Sequence, residues 1–261
     1  MLSIVSLNTW KCDGDYEKRM EIMLSQLKTL NYPIIALQEC FATADYFYNT
    51  ARSLAEGLHM NYFFYPIRRK ARWIQQQWLD SFSGLAILSK YPIEQKHVID
   101  LPGTRDDPER AAIGVAIQYQ STRIKVLNLH LTHLLNENHL RNQQFRKILT
   151  DPFSNDPDSL TLFCGDFNCE TTSDSLHEFF NSPYLLKDTY SLGGGTLPCY
   201  TCPVNDQIPV DKRVKIDHIL VGPFQGQYPS FENSKIELNM KDATYQLYPS
   251  DHFAVSTKII L

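Results

Sequence analysis

Leu2-Ser3-Ile4-Val5-Ser6-Leu7-Asn8 is the stretch from which the rest of the chain can be read. Its apolar residues, uninterrupted by Gly or Pro, predict a buried strand, and Asn8 marks where that strand stops. Met20, Met23, Leu24, Leu27 and Leu30 then recur at helical spacing. Pro33 ends that run, because its ring disfavours helical backbone in the preceding residue. Residues 34–37 form the next apolar run, so the chain opens as strand, helix, strand.

The alternation continues outward. Phe47, Ala51, Leu54 and Leu58 predict a second helix, and residues 85–88, 111–117, 124–129 and 160–164 read as further strands. Leu140, Phe145, Ile148 and Leu149 predict a third helix behind an Asn cap at 136 or 138. Residues 216–221 and 254–260 complete the strands, with Val255, Thr257 and Ile259 alternating against Ser256 and Lys258. So many strands exceed one small parallel sheet, and two packed sheets flanked by helices are expected. No repeat, low-complexity tract or Gly/Ser linker divides the 261 residues, so one domain spanning 1–261 is expected.

Bulk properties narrow the function classes. A net charge of -4 gives no global attraction to a polyanion, so nucleic-acid binding requires a local basic patch. Residues 67–78 supply one, with Arg68, Arg69, Lys70 and Arg72 interleaved with Trp73 and Trp78. Exposed charge runs are ordinarily solvated faces, and a loop or helix end is the expected conformation here. Six cysteines without dense spacing point to a reducing compartment, and Cys199-Tyr200-Thr201-Cys202 lacks a second metal-binding pair and reads as structural. No stretch approaches the ~20 apolar residues of a membrane span, and the start lacks a signal-like apolar core. A soluble, monomeric, cytoplasmic protein is expected, with a secreted effector as the alternative.

The chemistry sits where apolar strands stop. Asn8, Glu39, His130, and then Asp166 with Asn168, each follow such a run. Strand ends are where a rigid scaffold presents functional groups, so repetition of the pattern points to one shared sheet edge. Asn and carboxylate oxygens suit hard cations such as Mg²⁺ or Mn²⁺, which bind substrate phosphate. Asp217 and the Ser250-Asp251-His252 triplet add a carboxylate able to orient an imidazole and a histidine able to share charge with a phosphoryl oxygen. No nucleophile elbow and no phosphate-binding P-loop is present, and Gly193-Gly194-Gly195 reads as a turn. His130 and His133 fall on opposite faces of an extended segment, so they do not share a zinc ion, and His133 and His139 read as structural or surface residues.

Ser6-Leu7-Asn8-Thr9-Trp10, Ala36-Leu37-Gln38-Glu39, Gly84-Leu85-Ala86-Ile87-Leu88-Ser89, Asn128-Leu129-His130-Leu131, Gly165-Asp166-Phe167-Asn168, Lys215-Ile216-Asp217-His218 and Ser250-Asp251-His252 occur in this order. The ordered set resembles the endonuclease/exonuclease/phosphatase superfamily over nearly the whole chain. The resemblance implies an α/β four-layer α-β-β-α sandwich with two packed mixed β-sheets, and a Mg²⁺-dependent (Mn²⁺ as substitute) phosphoesterase. It implies Glu39 as principal metal ligand with Asn8 and Asp251, His130 and Asn168 holding the scissile phosphate, and Asp166 aligning or deprotonating the attacking water. It also implies Asp217 orienting His252 beside the phosphate, and Arg110 adding a phosphate contact. The active-site tyrosine of the nuclease branch has no clear counterpart, which with the acidic balance argues against processing of duplex DNA. Residues 129–133 with Asn138, Arg141, Asn142 and Gln143 resemble neutral-sphingomyelinase-like members, whereas Tyr248-Pro249-Ser250-Asp251-His252-Phe253 resembles members acting on protein-DNA adducts and RNA tails.

The substrate therefore stays open among nucleic acid, phospholipid and inositol phosphate, with the specificity loops placed at 66–83, 100–110 and 190–212. Three rivals accompany the general phosphoesterase: a nuclease recruiting a flexible strand through 68–78, a sphingomyelinase-like phosphodiesterase, and a binder of phosphate ligands that keeps the fold without turnover.

Overall fold

Apolar residues at consecutive strand positions are stable only where both faces of a sheet are covered, and the fold supplies that cover. The structure is a computed structural model that describes residues 1–204 and 207–261. Strands β1 (Leu2–Asn8), β2 (Ile34–Thr43), β3 (Asn61–Ile74), β4 (Gln77–Ser89), β5 (Gln95–Leu101), β6 (Arg110–Tyr119), β7 (Thr122–His130), β8 (Ser159–Asp166), β9 (Lys187–Asp188), β10 (Asp217–Val221), β11 (Ser230–Glu237) and β12 (Ala254–Ile260) divide into two six-stranded sheets. One runs β11-β12-β1-β2-β4-β3 and the other β5-β6-β7-β8-β10-β9. Only β1 with β2 and β7 with β8 pair in parallel among these neighbours, so both sheets are mixed.

The sheets face each other through Ile4, Ile34, Ile87, Val115, Val126 and Leu162, all buried. Helices α1 (Tyr16–Leu30) and α2 (Thr50–Leu58) cover the outer face of the first sheet, where Met23, Leu27 and Leu54 meet Val5, Ile35 and Leu37. Helix α3 (Asn138–Thr150) covers the second, with Phe145 and Ile148 against Leu127 and Leu129. A single-turn α4 (Thr189–Leu192) precedes the glycine turn, in which Gly193 N–H bonds Thr189 O at 2.9 Å. This is the expected four-layer sandwich.

Local signals end the helices as the sequence leads one to expect, with one exception. Asn31 closes α1 in the left-handed conformation with its N–H on Leu27 O, two residues before Pro33. Asn49 opens α2 by accepting from Arg52 N–H at 3.0 Å. Helix α3 departs from expectation: Glu137 stands at its cap without a side-chain bond. The Asn138 side-chain Oδ1 is taken instead by Arg141 Nη2 at 2.7 Å and Ser175 Oγ at 2.9 Å.

Residues 67–78 also depart from expectation, since they are neither loop nor helix end. They form the outer half of a β3–β4 hairpin whose register runs from Arg68 opposite Ser83 to Ile74 opposite Gln77. Gln75 and Gln76 make the turn, both at positive φ (48° and 61°), the geometry that a two-residue hairpin connection requires. Among the described residues no helix is long and apolar enough to cross a membrane.

Candidate active site

Strand register assembles the site. His130 ends β7 directly beside Asp166 at the end of the parallel β8, and Asp217 begins β10 directly opposite Asp166 on its other side. Three side chains from distant sequence thus stand in one row across three adjacent strands. Gly165 permits the close approach: a Cβ there would lie 2.0 Å from Leu129 O. In the facing sheet, β1 and β2 run parallel and finish together, with Asn8 opposite Gln38. Glu39 follows at φ 54°, where the ladder to β4 shifts register between Leu37 and Cys40. Left-handed backbone in a non-glycine residue costs of the order of 1–3 kcal/mol and is held only where its surroundings impose it.

Buried polar groups fix the two sheet ends to one another. Gln38 Nε2 donates to Asn128 Oδ1 at 2.7 Å across the sandwich, and Asn128 Nδ2 returns to Leu37 O at 2.8 Å and Ala86 O at 2.9 Å. The turn before β12 is held by Ser250 Oγ, which donates to Asn8 O at 2.6 Å. Arg19, 2% exposed, uses its whole guanidinium on backbone carbonyls: Asp13 (2.9 Å), Thr9 and Pro249 (3.0 Å), Trp10 and Lys11 (3.1 Å). It thereby ties the loop after β1 to the turn carrying Asp251 and His252.

At the centre, Asn8 Nδ2 donates to Asp166 Oδ2 at 3.1 Å, and Asn168 N–H donates to Asp166 Oδ1 at 2.9 Å. His252 Nδ1 and Asp217 Oδ2 are 2.8 Å apart. Asp166 Oδ2 also has His130 Nε2 at 3.5 Å and His252 Nε2 at 3.9 Å. Thr201 Oγ1 accepts from the N–H groups of Ile216 (3.1 Å) and Asp217 (3.2 Å), fixing the start of β10. Asp217 Oδ1, by contrast, has no hydrogen-bond partner among the described residues.

The electrostatics follow from crowding acids in a sheltered place. Burial, then the charge of Asp217, pushes the Asp166 carboxyl up to about 7. Burial likewise lifts Asp251 to about 6, with Glu39 adding to the rise and His252 opposing it. For His252, burial works against the charged ring, yet Asp217 outweighs it and holds the imidazolium well above its usual range. His130 moves the other way, kept neutral by burial and by Arg110. Lys11 Nζ sits 2.8 Å from Glu39 Oε2 and 3.5 Å from Asp13 Oδ2, the one ammonium held against these acids among the described residues.

All nine residues singled out from sequence come to this place, with Asp217 beneath the others. Asn8, Glu39, Arg110, His130, Asp166, Asn168, Asp251 and His252 line a single open cleft of about 700 Å³. Arg110 is already engaged: its donors reach Asp107 Oδ2 (2.8 Å), His130 O (3.2 Å) and His133 Nδ1 (2.9 Å). His133 thus lines the cleft as well, whereas His139 is exposed and meets Gln143. Lys11, Arg19 and Thr201 escaped the sequence reading, and Gln38 and Asn128 stood in it only as members of quoted segments, without a role. Arg19 and Gln38 carried a signal, being polar residues on a helix face and in a strand that are otherwise apolar. Cys199 and Cys202 are free thiols.

The donor set fits a hard divalent cation. The carboxylates of Glu39 and Asp251 and the amide oxygen of Asn8 face the cleft from neighbouring elements, and Asp217 keeps an unmatched buried oxygen. Asp166, Asp217 and His252 each offer one donor atom within 4.8 Å of the others, all buried.

A family model described as "Endonuclease/Exonuclease/phosphatase family" matches residues 5–252. No curated protein matches the chain by sequence. Among solved structures, an endonuclease/exonuclease/phosphatase family protein from Leptotrichia buccalis superposes with a TM-score of 0.75 at 16% identity, covering 100% of both chains. TDP2 of D. rerio complexed with single strand DNA product gives 0.76 at 18%, covering 100% of this chain and 99% of that one. A mannosyl-6-phosphatase of Bacteroides thetaiotaomicron gives 0.74 at 18%, covering 100% of both. At such identities the likeness is one of fold.

Proposed function

The chain belongs to the endonuclease/exonuclease/phosphatase family, and on that premise we propose that it hydrolyses phosphate esters by direct attack of water, with a divalent cation, Mg²⁺ or Mn²⁺, as cofactor. The observation that carries the reading is the row His130, Asp166, Asp217 in strand register, closed by His252 from the last turn. That row supports a reading in which Asp166 is the base, His252 a charged imidazole and His130 a neutral one.

The roles follow from environment. Glu39 and Asp251 face the cleft and hold the cation, joined by Asn8 Oδ1, which keeps a lone pair beyond its 3.0 Å bond from Trp10 N–H. When bound, the cation neutralises charge that builds on the phosphoryl oxygens. The buried trio Asp166, Asp217 and His252 is a weaker cage, because His252 already spends Nδ1 on Asp217. Asp166, with a carboxyl near 7, is matched to taking a proton from water around neutrality. Asn8 and Asn168 aim it by holding one oxygen each.

His252 keeps its charge through Asp217 and turns Nε2 toward the phosphate, stabilising the oxygens as they become more negative. His130, neutral, and the remaining N–H of Asn168, whose Nδ2 also meets Leu131 O at 2.9 Å, position the same group. Arg110 acts chiefly through His130, by holding its carbonyl.

The test is a substrate panel with Mg²⁺ and with chelator: a generic diester, a phosphomonoester, single- and double-stranded DNA, RNA, sphingomyelin and inositol phosphates. Cation-dependent hydrolysis of at least one is expected. Inactivity on all would leave the binder of phosphate ligands as the better reading.

A further inference from the structure

Behind Asp217, on the far side of its strand, lies a polar group that the chemistry above leaves unused. Asp217 and His218 are consecutive in β10 and so face opposite sides of the sheet. His218 is 1% exposed and lies on the same side as Leu220, which packs in one cluster with Phe145 of α3. Lys215 Nζ stands 2.7 Å from both Asp188 Oδ2 and His218 Nδ1, and His218 Nε2 lies 3.0 Å from Cys169 O. Asp188 Oδ2 is 3.7 Å from His218 Nδ1, too far for a hydrogen bond, so the ammonium mediates between them.

These partners fix the proton on the ring. An ammonium only donates, so Nδ1 accepts; a carbonyl only accepts, so Nε2 carries the hydrogen. His218 is therefore neutral and held in one tautomer, with burial and then the Lys215 charge opposing a second proton. Asp188 balances Lys215, and the group as a whole carries no net charge.

The ring grips the residues on either side of Asn168. It meets the fully buried Phe167 ring edge to face, with centroids 5.3 Å apart at 74°, and it donates to the Cys169 carbonyl. Between them Asn168 stands at φ 53°, and its N–H is the donor to Asp166 Oδ1 at 2.9 Å. Left-handed backbone in a non-glycine residue persists where its surroundings impose it, and the two flanking contacts to His218 do so here.

We propose that His218 is a positioning residue for the hydrolytic centre: set in its Nε2–H form by Lys215 and Asp188, it holds Asn168 in the backbone geometry that aims the Asp166 carboxylate. This rests on the phosphoesterase reading and adds to it a second layer that never touches substrate.

Two substitutions separate the hydrogen bonds from the ring. A glutamine amide carries an acceptor and a donor about as far apart as the two imidazole nitrogens, so His218→Gln keeps both bonds. His218→Phe keeps the ring against Phe167 and loses both. Amide hydrogen exchange at Asn168, followed by NMR on the full chain in chelator, reads the geometry without turnover, with Ile4 in the facing sheet as the control for general loosening. Exchange at Asn168 should quicken roughly tenfold in the Phe variant, the scale of one lost hydrogen bond, and return toward wild type in the Gln variant. On a generic phosphodiester with Mg²⁺, kcat should fall roughly 10- to 100-fold in the Phe variant at nearly constant KM, as a small misplacement does, and recover in the Gln variant. Wild-type exchange and wild-type kcat in the Phe variant overturn the proposal, as does equal quickening at Ile4, which makes His218 a core residue only. The wild-type ring is a further measurement that needs no variant: its ¹⁵N shifts should show a neutral ring protonated at Nε2, and a charged or Nδ1-protonated ring overturns the proposal. Exchange that responds as expected in a chain without hydrolysis strikes the phosphoesterase reading alone. Hydrolysis with exchange and kcat unmoved strikes the positioning role alone.

Discussion

The Asn8 side-chain amide donates to the Asp166 carboxylate at 3.1 Å across 158 residues of sequence, joining the end of β1 in one sheet to the end of β8 in the other. That bond unites the proposed cation ligands with the proposed base. In Asn8→Ala the carboxylate loses a charge-assisted partner, a loss of about 1.5–3 kcal/mol. Steady-state kinetics should show kcat/KM falling roughly 10- to 100-fold, with the melting temperature lowered by several degrees. Unaltered kcat/KM would mean that the bond does not orient Asp166.

Arg19 satisfies five backbone carbonyls at once. Lysine keeps the charge but has three donors on a point-like head and cannot span those acceptors. Arg19→Lys should lower stability by about 2 kcal/mol or more, since buried carbonyls lose their partners. It should also lower kcat, because Asp251 and His252 hang from the Pro249 carbonyl that Arg19 grips. Thermal melting and kcat, measured together, check this; a variant as stable and active as wild type would contradict it.

Asp217 is fully buried, with Oδ2 2.8 Å from His252 Nδ1, and the proposed role passes through that contact. Asp217→Asn preserves shape but removes the charge that keeps the imidazolium. Turnover should fall about 10²- to 10⁴-fold, the range of a lost acid–base partner, with KM nearly constant. A rise in KM with kcat preserved would assign Asp217 to binding instead.

Asp188 gives a pH test away from the chemistry. Burial alone would raise its carboxyl, but His218 and Lys215, the latter with Nζ 2.7 Å from Oδ2, hold it well below the usual carboxylate range. The unfolded chain takes up this proton near pH 3.8, the folded protein only at lower pH. The stabilisation is therefore complete above the unfolded value and is lost as pH falls through the folded one. Asp188→Asn should lower the unfolding free energy near neutrality, read from denaturant unfolding, by ~3 kcal/mol for a broken buried pair. The gap to wild type should close in strong acid; a gap independent of pH would contradict the assignment.

What the sequence disclosed, and what it hid, has a physical pattern. The runs at 2–7, 124–129 and 160–164 were legible because both of their faces are buried, and the polar residue ending each run fell at one edge of the sandwich. The outer hairpin was not, because Arg69 and Asp80 place charges on one face while Arg68, Lys70 and Arg72 place them on the other. Its turn uses Gln75 and Gln76 where Asn-Gly would have signalled a hairpin. Strand β11 was hidden by a register shift between Glu232 and Lys235. Lys11 and Thr201 act through contacts between remote segments, which no local spacing reports. Arg110 was read as a phosphate contact, and its bonds to Asp107, His130 and His133 emerge only once the strands are side by side.

The central claim is that Glu39 and Asp166, one from each sheet, serve a single cation-dependent hydrolytic centre. Hydrolysis of a generic phosphodiester by Glu39→Gln and Asp166→Asn, alongside wild type with Mg²⁺, with Mn²⁺ and with chelator, tests it most directly. The account predicts losses of about 10³-fold or more in both variants, matched by the loss on chelation, with melting close to that of wild type. Substantial turnover retained in either folded variant would contradict it.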